Sequence, residues 1–199
     1  MDTISWSAIQ SDWKERELPY WSEHIKKAGI NTWEQFRNPM IYTLVLNKRV
    51  WEIVELKDPL IELPALHPNP LTRWVDFFGD KKFPQFYEIQ GHPFLGNHTR
   101  IHEIADNFPP ETSFIVLANG RKELAIDGHH RISAVDLMYR RKQELHSKVS
   151  VAKSEVSTAE WERITNRDPA LLHELKMRKA LSLIHAKFQR LLGKGPTSS

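Results

Sequence analysis

The chain has 199 residues, no cysteine, a formal charge of +3, and 40% hydrophobic against 27% charged residues. Those proportions suit a globular protein, and no run approaches the roughly 20 apolar residues that span a bilayer. Without thiols a disulfide framework, a cysteine nucleophile and a thiolate zinc site are excluded, and the start MDTISWSAIQSDWKERELP has no basic segment leading into an apolar run, so a cytoplasmic protein with no membrane partner is expected.

The charge is uneven. Residues 1–120 carry 12 Lys+Arg against 16 Asp+Glu, and residues 121–199 carry 16 against 9. A basic C-terminal part points to a polyanion such as DNA, or to solvated helix faces.

Residues 1–38 read as short helices, with Ser5 and Thr32 as caps, Pro19 and Gly29 as breaks, and Glu34 and Gln35 in the first turn of the last one. Residues 1–58 are therefore expected to form a Trp-rich, mainly helical annex. Six of the seven tryptophans lie in the first 74 residues, at spacings that suit a packed face more than a base-stacking platform. The run from Ile41 to Leu56 fits either two strands around Asn47-Lys48 or a helix. Residues 59–98, rich in Pro and Gly, predict mostly loop with short extended pieces, and so long a loop is often functional.

From Arg100 the pattern sharpens. Arg100 to Phe108 predicts a helix stopped by Pro109-Pro110. Phe114–Ala118 and Arg121–Ile126 predict a hairpin, with Asn119-Gly120 taking the positive φ angles of a type I′ turn. Asp127-Gly128-His129-His130-Arg131 follows the second strand, and Ile132, Val135 and Met138 or Tyr139 then recur at helical spacing. Ser147 to Val156 reads as a further strand, Ser157 or Thr158 as the cap of a helix holding Trp161, and Asp168-Pro169 as the start of a long basic helix to about Leu192.

Residues 157–192 thus form a basic helical segment, and 193–199 a disordered tail. In the long helix Leu171, Leu175, Leu181, Ile184, Phe188 and Leu191 offer an apolar face, with Lys176, Arg178, Lys179, Lys187 and Arg190 elsewhere. That face suits packing on the body or on its twin in a homodimer through the C-terminal helices. DNA phosphates are the alternative partner, with Tyr139–Lys142 extending the basic surface.

A strand, a glycine and a helix start aim backbone N–H groups and the positive end of the helix dipole at one point, which suits an anion such as phosphate. Gly128 permits close approach to the backbone, Arg131 has a forked donor set for phosphate oxygens, and His129 and His130 donate hydrogen bonds or move a proton. Asp127 is suited to orienting an imidazole or holding Mg2+. The competing reading is a turn at Asp127-Gly128, surface histidines, and an Arg131 paired with a carboxylate.

The stretch from Arg100 to Glu155, with IDGHHRISAV at its centre, resembles the ParB/sulfiredoxin superfamily, and LPALHPNPLTR at Leu63 to Arg73 is similar to the segment that opens ParB-type domains. The resemblance implies an α+β fold, a small mixed sheet with helices over residues 59–156, carrying helical N- and C-terminal additions. It implies phosphate binding by Gly128, His130, Arg131 and Arg73, and catalytic roles for Asp127, His129 and His130. Sulfiredoxins carry cysteine where His129 stands, so sulfinic-acid reduction is excluded. The DGHHR spelling resembles ParB-like nuclease and NTPase proteins and ADP-dependent serine kinases. The implied function is hydrolysis of ATP or another nucleotide with a divalent metal, Mg2+, and DNA-directed nuclease action beside it. The alternatives are a non-catalytic DNA- or protein-binding regulator and a small-molecule kinase. Glu103 and Asp106 are candidate bases.

His98 and His102 would share a helix face and, with His92, could make a metal site; no ligand set is assigned to them. Walker, dinucleotide and G-x-S-x-G patterns are missing from the sequence.

Overall fold

A computed structural model describes residues 2–192, and the tail expected at 193–199 lies outside them. Within the described residues the chain is mixed α and β. The strands are β1 (Asp2–Ile4), β2 (Trp51–Glu55), β3 (His67–Pro68), β4 (Glu111–Asn119), β5 (Lys122–Ala125) and β6 (Lys148–Glu155). The helices are α1 (Trp6–Lys27), α2 (Trp33–Thr43), α3 (Pro59–Glu62), α4 (Phe86–Ile89), α5 (Pro93–Gly96), α6 (Thr99–Asp106), α7 (His129–Arg140), α8 (Thr158–Thr165) and α9 (Pro169–Leu191). No helix among the described residues is long and apolar enough to cross a membrane.

The chain divides into two compact units, each built from separated pieces: residues up to Ile4 with Val50–Arg167, and Ser5–Arg49 with the chain from Asp168 on. The boundary expected at 58/59 therefore falls at 49/50, because β2 is hydrogen-bonded to β6, with Glu52 opposite Lys153 and Glu55 opposite Ser150. The run from Ile41 to Leu56 follows neither expected reading whole, neither a helix throughout nor two strands around Asn47-Lys48. α2 ends at Thr43, a 3-10 turn spans Leu46–Lys48, and β2 starts at Trp51.

In the first unit the sheet order is β1-β2-β6-β4-β5-β3. Phe114–Ala118 of β4 is fully buried, as befits a central strand covered on both faces and flanked by parallel β6 and antiparallel β5. Phe114 and Val116 point to one face, where they join Ile132, Val135 and Met138 of α7, Ile101 and Ala105 of α6, and Phe86 and Ile89 of α4 in one core. Met138, not Tyr139, supplies the last buried turn of α7.

The hairpin forms, with its turn one residue later than expected. Asn119 pairs with Lys122, and of the intervening Gly120 and Arg121 only Gly120 has positive φ, +62°. Positive φ at the first position alone belongs to a type II′ turn, not the type I′ turn predicted at Asn119-Gly120. The shift places Leu117 opposite Leu124 and frees the Asn119 amide to donate to the Val156 carbonyl at 3.0 Å.

Residues 59–98 hold more structure than the predicted loop. They contain α3, α4, α5, the two-residue β3 and a 3-10 turn at Arg73–Phe77. Leu63, Leu66, Trp74, Phe78, Phe86 and Leu95 are drawn into the same core as α7, so apolar burial orders a stretch whose Pro and Gly content suggested irregularity.

In the second unit α1 opens at Ser5, whose Oγ accepts the Ala8 N–H at 3.3 Å, and runs for 22 residues through Pro19, the expected break. A proline removes one helical hydrogen bond; Ile9 and Trp13 before it and Ile25 after it are buried, which keeps the helix on one course. Gly29, at φ +75°, follows the helix end. Thr32 caps α2 by accepting the Gln35 N–H at 3.2 Å. Trp13 and Trp33 meet edge to face at 5.3 Å, and the Trp33 Nε1–H donates to Glu17 at 3.1 Å, so these tryptophans serve packing. Asp168 caps α9 through the Ala170 N–H at 2.9 Å. α9 lies on α2, where Ser182 Oγ donates to the Gln35 carbonyl at 2.6 Å. Of the apolar face expected on α9, Leu171 and Leu175 are buried, while Leu181, Ile184, Phe188 and Leu191 are exposed.

Candidate functional site at the first turn of α7

β5 delivers the chain to the motif in register, since the Ile126 N–H still bonds the Ile115 carbonyl at 2.8 Å. Gly128 then turns at φ +76° and caps α7. A Cβ there would stand 2.4 Å from Phe114 Cδ1 and 3.1 Å from Arg131 Nη2, so glycine is required by the ring beneath it as well as by its backbone angle.

Asp127 and Arg131 are partners. Asp127 is buried; its Oδ1 accepts the Ile115 N–H at 2.9 Å and its Oδ2 accepts from Arg131 Nη2 at 3.1 Å. Arg131 also donates to Thr112 Oγ1 and, at 3.2 Å, to the Ser113 carbonyl, with its guanidinium 4.6 Å from the Phe114 ring centroid. The pair fastens the first turn of α7 to β4. The carboxylate reading of Arg131 is thus realised in the geometry, and both oxygens of Asp127 are engaged within the protein.

His129 is buried against Trp74, with ring centroids 5.3 Å apart, and against Phe86 at 5.6 Å. Its Nε2 accepts the Asn69 N–H at 3.0 Å, which requires that nitrogen to be unprotonated. Asn69 is itself buried, and its Oδ1 accepts the Leu71 N–H at 3.0 Å. β3 brings it here by pairing with β5, Pro68 beside Ala125. The two segments singled out in the sequence, Leu63 to Arg73 and Asp127 to Arg131, therefore meet through Asn69 and His129. Arg73 is exposed in the 3-10 turn, and its neighbour Trp74 is the side chain that packs on His129 and His130.

His130 lies 5.0 Å from His98 and 5.4 Å from Trp74, ring centroid to ring centroid. Burial first, and then the Arg100 guanidinium, push its pKa down to about 3. Both influences disfavour a further cation, so His130 is neutral at neutral pH. His98 adds a buried Nδ1 that makes no hydrogen bond among the described residues. The result is a half-buried group of ring and guanidinium nitrogens at a helix N-terminus, while Asp127 of the same turn is paired with Arg131.

The other candidates lie apart from this cluster. Asp106 accepts from Arg141 at 2.9 Å, and Glu103 is exposed on α6. His102 bonds the Gly96 carbonyl at 2.7 Å and Arg141 at 2.7 Å, while His92 accepts the Phe94 N–H at 3.3 Å. His92 and His102 thus have partners of their own, and the described residues contain no group of three or more His, Cys, Asp or Glu placed to hold a metal ion. Sequence reasoning missed Asn69, Trp74 and Arg100 as neighbours of the motif. Asn69 stood in the quoted Pro-Asn-Pro segment, but only the β3–β5 pairing shows which residue it meets. Compared with known proteins, the chain matches no family model, no curated protein and no solved structure.

Proposed function

We propose that the first unit is a ParB/sulfiredoxin-like domain that binds the phosphates of ATP or another nucleotide at the first turn of α7 and hydrolyses it. The observation that carries this reading is the packing of His98 and Trp74 on His130 in the first turn of α7, with ring centroids 5.0 and 5.4 Å away, and with Arg100 close enough to disfavour a further cation there. A helix N-terminus with imidazole and guanidinium donors nearby stabilises an arriving phosphate through its dipole and free backbone N–H groups. The phosphate in turn lifts the pKa of His130, since an adjacent anion favours imidazolium. His130 is then able to take the proton of the water that attacks the terminal phosphate, leaving a nucleoside diphosphate and inorganic phosphate.

Mg2+ fits this chain less well. Asp127, the residue suited to it on sequence grounds, has both oxygens occupied, so no step is assigned to a protein-held metal.

The test is calorimetry with ATP, ADP and CTP in magnesium buffer on wild type and on Arg100→Gln and His98→Gln, followed by phosphate-release assays on His130→Gln. Arg131→Ala is a poor probe because it breaks the link to β4. Loss of a charge-assisted hydrogen bond should weaken binding about 10- to 100-fold in Arg100→Gln. No heat with any nucleotide, or equal binding by Arg100→Gln, would refute the assignment. A DNA-binding regulator is the second reading, favoured by the stretch 175–192, where five cations (Lys176, Arg178, Lys179, Lys187 and Arg190) stand with no carboxylate. Duplex binding that falls steeply with salt and ignores nucleotide would select it.

A further inference from the structure

α9 is apolar on two opposite faces. One carries Leu171, Leu175 and Ala186, buried, with Ser182 bonded to α2. Opposite, at about 100° per residue, stand Met177, Leu181, Ile184, Phe188 and Leu191, between 49% and 84% exposed. Their steps alternate four, three, four, three residues, the repeat of a coiled-coil seam.

We propose that this stripe is the seam through which a second copy of the chain docks, α9 against α9. The period is the first reason. A strict seven-residue repeat is shared by two helices winding side by side, whereas a helix lying on lipid needs a broad apolar sector. Charge is the second. No Lys or Arg occupies the stripe, which argues against a phosphate backbone as its occupant, and the positions beside it are His173, Arg178, Ala180, His185, Lys187 and Leu192. A parallel pair sets His173 against Arg178, Ala180 against His185 and Lys187 against Leu192. An antiparallel pair sets Arg178 against His185 and Lys187 against Ala180. In both of these registers no Lys or Arg faces another, so the flanks do not oppose self-association through them. Area is the third. Five side chains this exposed remove on the order of 600 Å2 per copy, short of the roughly 800 Å2 of a standard interface and enlarged by the stems of Arg178 and Lys187.

Sedimentation equilibrium of the full chain between about 1 and 200 µM tests it. The mass should rise from the 23.3 kDa of one chain towards twice that value. Leu181→Glu with Ile184→Glu should raise the dissociation constant at least about 100-fold, with circular dichroism and melting unchanged because both side chains are exposed. If that variant does not fold, Met177→Lys with Phe188→Lys interrogates the same seam. A wild-type mass that stays at one chain overturns the proposal, as does a dimer that survives in either folded variant. A monomer that binds anionic vesicles through the stripe overturns it too, assigning the face to lipid.

Discussion

Gly128 and Arg131 show how the motif is bound to the strand beneath it. Gly128→Ala brings a Cβ to 2.4 Å from a fully buried ring at a φ of +76°, so a loss of about 3 kcal/mol is expected in denaturant unfolding. A loss below about 1 kcal/mol would mean that Phe114 moves aside freely. Arg131→Ala leaves Asp127 buried without its cation, and about 3 kcal/mol is again expected. His130 makes a prediction about pH. Its folded pKa, about 3, lies below the ordinary 6.5, so below pH 6.5 the unfolded chain binds a proton that the folded chain refuses. Its contribution therefore lowers stability as pH falls from 6.5 towards 3 and does nothing above that window. His67, held down chiefly by burial, acts in the same direction. His130→Asn should flatten the acid limb of a stability–pH profile relative to wild type; an unchanged limb would show that the ring is not held neutral. Histidine NMR should place the His130 pKa well below that of a free imidazole and move it up when nucleotide binds.

Single elements obey local rules until tertiary contacts outweigh them. Ser5, Thr32, Ser157 and Asp168 all accept backbone N–H groups in the first turns of their helices, because a cap satisfies donors that a helix leaves open whatever surrounds it. Pro19 departs from its local rule. It is exposed inside α1, so Pro19→Ala restores a hydrogen bond with no core to disturb and should stabilise the protein by about 1 kcal/mol or more, read as a rise in melting temperature. A fall would show that the proline shapes α1. Asn119 departs in another way. Its side chain serves Val156, and Gly120 alone takes the positive φ. Strand pairing, which sets Leu117 opposite Leu124, decided the turn.

At the scale of the whole molecule, each unit is discontinuous in sequence. The second joins α1 and α2 to α9, with Val50–Arg167 lying between them in the sequence. Ending the chain at Arg167 removes the helix that packs on α2. The Trp13–Trp33 pair should then lose its near-ultraviolet circular dichroism, while amide protection persists in β4 and β6, whose core is their own. Retention of the tryptophan signal would show that α1 and α2 hold together unaided.

The sequence by itself determined the caps, α6, α7 and α9, the hairpin strands and the strand-to-helix position of Asp127 to Arg131, because these depend on neighbours a few residues away: turn chemistry, periodicity and cap donors. It also pointed to both segments that meet at the first turn of α7. Only the tertiary structure decided that Arg131 faces Asp127 and Thr112, that Asn69 reaches His129, that His98 packs beside His130, and that β2 belongs with β6. Each of those facts joins residues distant along the chain, and such contacts exist only once the sheet has set its register and the core has closed.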